Sequence, residues 1–225
     1  MLIDIIDRES VSLGRRIQRM KVTKTQAREN RAHIVETASA LFRERGYDGV
    51  SVADLMAAAG FTHGGFYKHF RSKADLMAEA AANGFLQSAA NMAEKDEAAF
   101  VQEYVSRKHR DAPGHGCTLA ALCGDAARQP EEIKESFAAG IEGQLATLER
   151  EDGDLSEIAK REARVRRIDT LAHALGAIVL SRACPDDSPL ADEILEICRT
   201  RILESLCHES KSAKSQKQRP RQVGE

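Results

Sequence analysis

The stretch Gly60-Phe-Thr-His-Gly-Gly-Phe-Tyr-Lys-His-Phe-Arg-Ser-Lys-Ala-Asp-Leu76 decides how the chain is read. Phe66 and Phe70 stand four residues apart, so on a helix they share one face and can anchor it inward. Thr62 can cap that helix at its start. Gly64 and Gly65 leave its outer N-terminal surface nearly bare, and each glycine costs ~1 kcal/mol of helix stability. A purely structural helix gains nothing obvious from the pair. A helix whose backbone must approach a groove closely does. Ser72-Lys-Ala-Asp75 then has the spacing of a capping box and predicts a long helix running to about Ala93.

Upstream, Thr25 to Arg45 reads as a helix with Ile34, Ala38, Leu41 and Phe42 on one face, closed by Gly46 as a left-handed cap. Ser51-Val-Ala-Asp54 is a second capping box, opening a two-turn helix that buries Val52, Leu55, Met56 and Ala59 and ends at Gly60. Helices two and three are joined only by Gly60-Phe-Thr62, the spacing of a helix-turn-helix. Six of the ten aromatic residues fall between positions 42 and 70, as a small unit short of core requires. Periodicity alone suits an ordinary three-helix subdomain equally well. The adjoining basic segment favours DNA.

That segment emerges when the charge is divided along the chain. The total of 33 Lys and Arg against 35 Asp and Glu gives a net charge of −2 over 225 residues. Residues 1–75 nevertheless carry +4, residues 94–162 carry −7 and residues 208–225 carry +3. Within positions 15–31 there are seven basic side chains against Glu29 alone. The pattern invites a polyanion at one end only.

The remainder reads as helix, so the expected fold is all-α. The expected domains are an N-terminal extension at 1–20, a helix-turn-helix domain at 21–75, a helical regulatory and dimerisation domain at 76–207 and a basic disordered tail at 208–225. Met20 is an alternative translational start; if the extension is present, Arg15, Arg16 and Arg19 form a basic arm. No apolar run approaches the ~18–20 residues of a membrane span, and the N-terminus lacks a secretion signal, so a cytoplasmic protein without membrane contact is expected. Five scattered cysteines make neither a disulfide framework nor a zinc site, and no cofactor is expected.

The segment from Gly60 to Leu76, with Ile34-Val-Glu-Thr-Ala, Leu41-Phe42, Gly46-Tyr47 and Ser51-Val52 before it, resembles the DNA-binding signature of the TetR family of bacterial transcriptional regulators. The likeness covers roughly residues 25–78. It implies base contacts at Thr62, His63, Gly64 and Gly65, and phosphate contacts at Tyr67, His69 and Lys73. Gly65 departs from the family, which often has Thr or Ala there. Lys68 can reach base edges, Ser51 a phosphate, and Lys24 and Arg28 a phosphate or the minor groove.

The resemblance further implies a homodimer on a pseudo-palindromic operator, paired through two final helices at about 161–183 and 188–207. Their stripes, Val165, Ile168, Leu171, Leu175, Ile178 and Val179, then Leu190, Ile194, Ile197 and Ile202, are broader than one small domain can cover. A pocket for an unknown inducer is expected in helices 76–150, lined by Phe85, Phe100, Tyr104, Cys117, Leu122, Cys123, Phe137 and Gln144, with His173 from beyond. So few polar groups suggest a largely apolar ligand. The first reading is a repressor released by that ligand. An activator or a ligand-independent regulator is the near alternative. An enzyme using Cys117 and His115 is the distant one, since no phosphate loop, nucleophile elbow or metal motif accompanies that pair. A helical adaptor leaves Gly64–Gly65 unexplained.

Overall fold

A computed structural model describes residues 23–93, 95–149 and 156–217. The N-terminal extension, its arginine arm and the Glu151–Asp154 break lie outside the described residues. Every regular element among the described residues is helical, as the sequence predicts.

The head begins with α1 (Lys24–Arg45), capped by the Thr23 side chain, which accepts from the Gln26 amide at 3.1 Å. Its inward face is the predicted one, with Ile34, Ala38 and Phe42 essentially inaccessible. Gly46 ends α1 at φ 73° and ψ 169°, backbone that is essentially closed to residues with a Cβ. The second helix, α2 (Val52–Ala58), opens on the predicted capping box: the Ser51 Oγ accepts from the Asp54 amide (3.1 Å) while the Asp54 carboxylate accepts from the Ser51 amide (3.0 Å). Gly60, at φ 78°, makes the turn. Phe42, Tyr47, Phe66 and Phe70 close the core of the head.

The third element corrects the sequence reading. His63–Lys68 is a single stretch of 3-10 helix, not α-helix, and Thr62 makes no side-chain cap. Two adjacent glycines withhold the propensity that an α-helical nucleus needs. The tighter turn still puts Phe66 and Phe70 inside, with ring centroids 5.5 Å apart.

The body follows as α3 (Lys73–Ala93), α4 (Glu97–Tyr104), α5 (Arg107–Asp111), a 3-10 turn at Pro113–His115, α6 (Thr118–Ala126), α7 (Glu131–Glu149), α8 (Glu157–Arg182) and α9 (Pro189–Lys217). Helix α3 starts in the head and packs along α7, while α8 and α9 pair with each other. Side-chain ties fasten head to body, among them the following. The Tyr47 amide donates to Asp125 of α6 at 3.1 Å, and Arg31 of α1 forks onto Glu79 of α3 while its guanidinium lies 4.6 Å from the Phe70 ring.

The end of the chain differs from expectation. Helix α9 continues through Lys217, ten residues into the expected tail, because residues 208–217 contain neither glycine nor proline. Residues 218–225 lie outside the described residues. The apolar stripes of α8 and α9 also divide. Val165, Ile168, Val179, Leu190 and Ile197 are exposed, and so are Ile158 and Leu180, which the stripe did not include. Leu171, Leu175 and Ile194 are half-buried against the core. Ile178 and Ile202 are buried in it, which removes them from the expected subunit contact: a broad stripe serves its own domain on one flank.

Candidate nucleic-acid interface and cavity

The tip of the head gathers most of the residues singled out from sequence. Thr62, His63, Gly64, Tyr67 and Lys68 are exposed on the 3-10 turn and its lead-in, with Tyr67 at 69% exposure despite its size. Lys24 and Arg28 are exposed at the start of α1. A Cβ built on Gly64 meets no atom of the chain within 4 Å; one on Gly65 meets only Met56 and Thr62, at ordinary contact distances. Packing therefore does not demand glycine at either position.

Three members of the set are already engaged within the chain. The Lys73 ammonium donates to the Tyr47 carbonyl and lies 6.0 Å from the Phe42 ring, so it clasps α3 to the end of α1. The Ser51 hydroxyl is occupied by Asp54. His69 is half-buried; burial first, then the nearby Arg31 and Lys68 cations, pushes its pKa below the usual imidazole value, so it meets a neutral-pH partner uncharged. Arg71, which sequence reasoning passed over, is exposed and only loosely paired with Asp75 at 3.6 Å. A cation directly between Phe70 and the Ser72 cap was the available signal.

A cavity of about 300 Å³ opens in the body between α3, α4, α7 and α8. Of the expected lining, Phe100, Tyr104, Cys117 and Gln144 are present. Phe85 and Phe137 instead pack edge to face at 5.3 Å inside the core, Leu122 is buried, and Cys123 and His173 are exposed elsewhere. The wall is also more polar than expected, with Asn91, Lys95, Glu103, His109, Arg167 and Thr170 on it. Polar residues at helix positions too scattered to form a stripe converge here only through packing.

His109 is the most informative of these. Its Nδ1 lies 2.7 Å from the Tyr104 carbonyl and its Nε2 accepts from the Cys117 amide at 3.0 Å. One contact requires a proton and the other a lone pair, so the ring is neutral and protonated at Nδ1. His109, not the exposed His115, is thus the imidazole bonded to Cys117, and both its nitrogens are occupied.

Burial, outweighing the Tyr104 carbonyl, pushes the His109 pKa below its ordinary value. An unfolded imidazole titrates near about 6.5, so below that pH the unfolded chain binds more protons than the folded one. The stability that neutral His109 confers is complete above about pH 6.5 and is lost as pH falls below it. The urea midpoint is expected to drop between about pH 7 and about pH 5.5, and His109→Gln to flatten that dependence. Equal slopes for wild type and variant would refute the assignment.

A recessed polar cavity in a helical body and an exposed cationic turn at the tip of a three-helix head define a two-part helical protein with a helix-turn-helix. Residues 34–80 match the model for bacterial regulatory proteins of the tetR family. The regulator AcrR of Shigella flexneri is 42% identical over 57 residues, 25% of this chain and 26% of that protein. The repressor KstR2 of Mycobacterium tuberculosis is 31% identical over 98 residues, 39% of this chain and 48% of that protein. The chain thus spans between a quarter and a half of these curated relatives. A TetR-family regulator from Agrobacterium tumefaciens shares the fold over 79% of this chain and 98% of its own, with a TM-score of 0.60 at 22% identity. Over residues 34–80 the chain is similar to the TetR family, and over most of its length it shares the fold of a solved member. No described helix is long and apolar enough to cross a membrane.

Proposed function

We propose that the chain is a cytoplasmic, homodimeric transcriptional repressor that binds a pseudo-palindromic operator and is released by a small molecule entering the cavity. The observation that carries the DNA reading is the turn at His63–Lys68. Its glycines are not required by any neighbour, yet they bare the backbone where His63, Tyr67 and Lys68 stand exposed. Side chains of this kind suit base edges and phosphates, and a bare turn lets the backbone approach them. A nonenzymatic role fits the cavity, since the His109 imidazole there meets the backbone amide of Cys117 and not its thiol.

Two copies joined through the exposed apolar residues of α8 and α9 would present two such turns to successive major grooves. Acidic residues across the body limit indiscriminate attraction to DNA. The test is a gel shift on the DNA upstream of the gene at two salt concentrations. Selective binding, weakened by salt, is expected. Lys68→Ala and Tyr67→Ala together should weaken binding at least about tenfold, whereas His63→Ala should change sequence preference. Lys73→Ala is the poorer probe, because it also unfastens the Tyr47 carbonyl. Equal affinity for unrelated DNA would overturn the reading.

A further inference from the structure

Taking the cavity as the ligand site, as above, we infer that it receives an uncharged aromatic amide, whose amide group is held by Gln144. The wall changes character with depth. Its buried part is formed by Gly84, Val101, Tyr104, Cys117, Gln144 and Ala174, which include neither a cation nor a carboxylate. The charged lining residues Lys95, Glu97, Glu103 and Lys108 are exposed at the rim. Lys95 is paired with Glu103, which also lies near Lys108, and Glu97 and half-buried Arg167 are each engaged within the chain. Arg43 and Arg182 do not line the cavity, and Glu44 and Asp111 stand near them. A charged group carried to the buried part would leave water without an opposite charge to meet it, which is costly.

A neutral polar group does have a partner there. Gln144, on α7, is 4% exposed, and its amide meets no hydrogen-bonding partner among the described residues. A buried amide left unpaired is unfavourable, and a ligand that pairs with it removes that strain on the free protein. The Gln144 carbonyl accepts and its N–H groups donate, side by side. A carboxylate answers only the N–H groups and sets an anionic oxygen against the carbonyl. An ammonium answers only the carbonyl. A second amide answers both at once. The Tyr104 hydroxyl adds a donor: it is buried beside the Cys117 thiol, a weak acceptor, with no stronger partner. Burial, and then the Cys117 thiol, pushes its pKa well above the usual phenol range, so it stays protonated.

The ring of the ligand has a surface of its own. Phe100, Tyr104 and His109 form a row, with ring centroids 5.4 Å apart for the first pair and 4.5 Å for the second. All three line the cavity, and His109 is neutral with both nitrogens used, so the row is uncharged. Flat rings pack on such a row by offset stacking or edge contact. The volume of about 300 Å³ is at the lower end for ligand pockets and suits one ring with a short arm.

Calorimetric titration of the full chain without DNA tests this. The probes are benzamide, phenylacetamide and cinnamamide, each beside its carboxylate, which keeps the shape and adds the charge. At least one amide should bind about tenfold more tightly than its carboxylate. Gln144→Leu should weaken that amide about tenfold without lowering the thermal midpoint of the free protein, because Gln144 has no partner to lose. Tyr104→Phe, which keeps the ring and deletes one hydroxyl, is the second variant and should weaken it as well. The inference is overturned if no amide binds at millimolar concentration, if every carboxylate matches its amide, or if both variants bind the amide as wild type does. With no DNA present, a negative result leaves the gel shift standing, and a failed gel shift leaves this titration readable.

Discussion

Aspartate placed together at Ile168, Val179 and Ile197 is expected to yield a folded monomer that has lost most of its operator affinity. These side chains are 47%, 45% and 53% exposed in the single chain, so the substitutions disturb little within it. Exposed positions of this kind change stability by no more than about 0.5 kcal/mol each. Between subunits, however, three carboxylates on each side would be taken out of water against the apolar residues of the partner. Linking two half-site contacts multiplies affinity by about 10²–10⁴, and a monomer forfeits that factor. Sedimentation velocity reads the assembly and the gel shift reads the affinity. A wild-type protein sedimenting as a monomer, or a triple variant sedimenting as a dimer, would sink the interface. Aspartate at Ile178 or Ile202 should behave differently and unfold the chain, since both are buried in its own core.

Phe66→Ala is expected to have the largest effect on the head alone. The side chain is fully buried and packs at 5.2 Å on the Tyr67 ring and 5.5 Å on the Phe70 ring. Truncating such a phenylalanine costs about 3–5 kcal/mol, through lost burial and the cavity left behind. The head has only a few such anchors, so its unfolding transition should move to markedly lower urea and DNA binding should vanish with it. Tyr67→Phe, a change at an exposed ring, should leave the same transition in place. A loss below about 1 kcal/mol for Phe66→Ala would show that the turn is not anchored as described.

What the sequence made legible and what it hid follow a physical division. Signals carried by neighbours along the chain were readable: the Ser51–Asp54 box, the Phe66–Phe70 spacing, the positive φ at Gly46, the turn at Gly60, and the helical character of the described residues. The choice between α and 3-10 at His63–Lys68 was not, because it balances glycine's poor propensity against the pull of two anchors, and the hydrophobic pattern is the same for both. The cavity was least legible. Lys95, His109, Arg167 and Thr170 come from separate segments and look like solvated polar residues until packing brings them together. Phe85 and Phe137 failed as lining for the converse reason: two large rings within reach of each other bury more surface by pairing than by facing a void. Lys73 shows a further limit. Its type and place suit a phosphate, yet a carbonyl inside the chain reaches its ammonium first.

Helix α3 gives the molecule a mechanical property. It is one unbroken rod of 21 residues, clasped to the head by Lys73 at its first turn and lining the cavity from Gly84 to Met92. At 1.5 Å per residue the rod is about 31 Å long, so a tilt of about 5° pivoting at the cavity would displace the far end by about 2 Å. In a symmetric pair the two displacements add. Hydrogen bonds to phosphate weaken steeply beyond about 3.2 Å, whereas half-sites are fixed about 34 Å apart by the DNA itself. In the proposed dimer, a rigid pointer read against a rigid ruler would convert a few degrees at one end into the loss of register at the other.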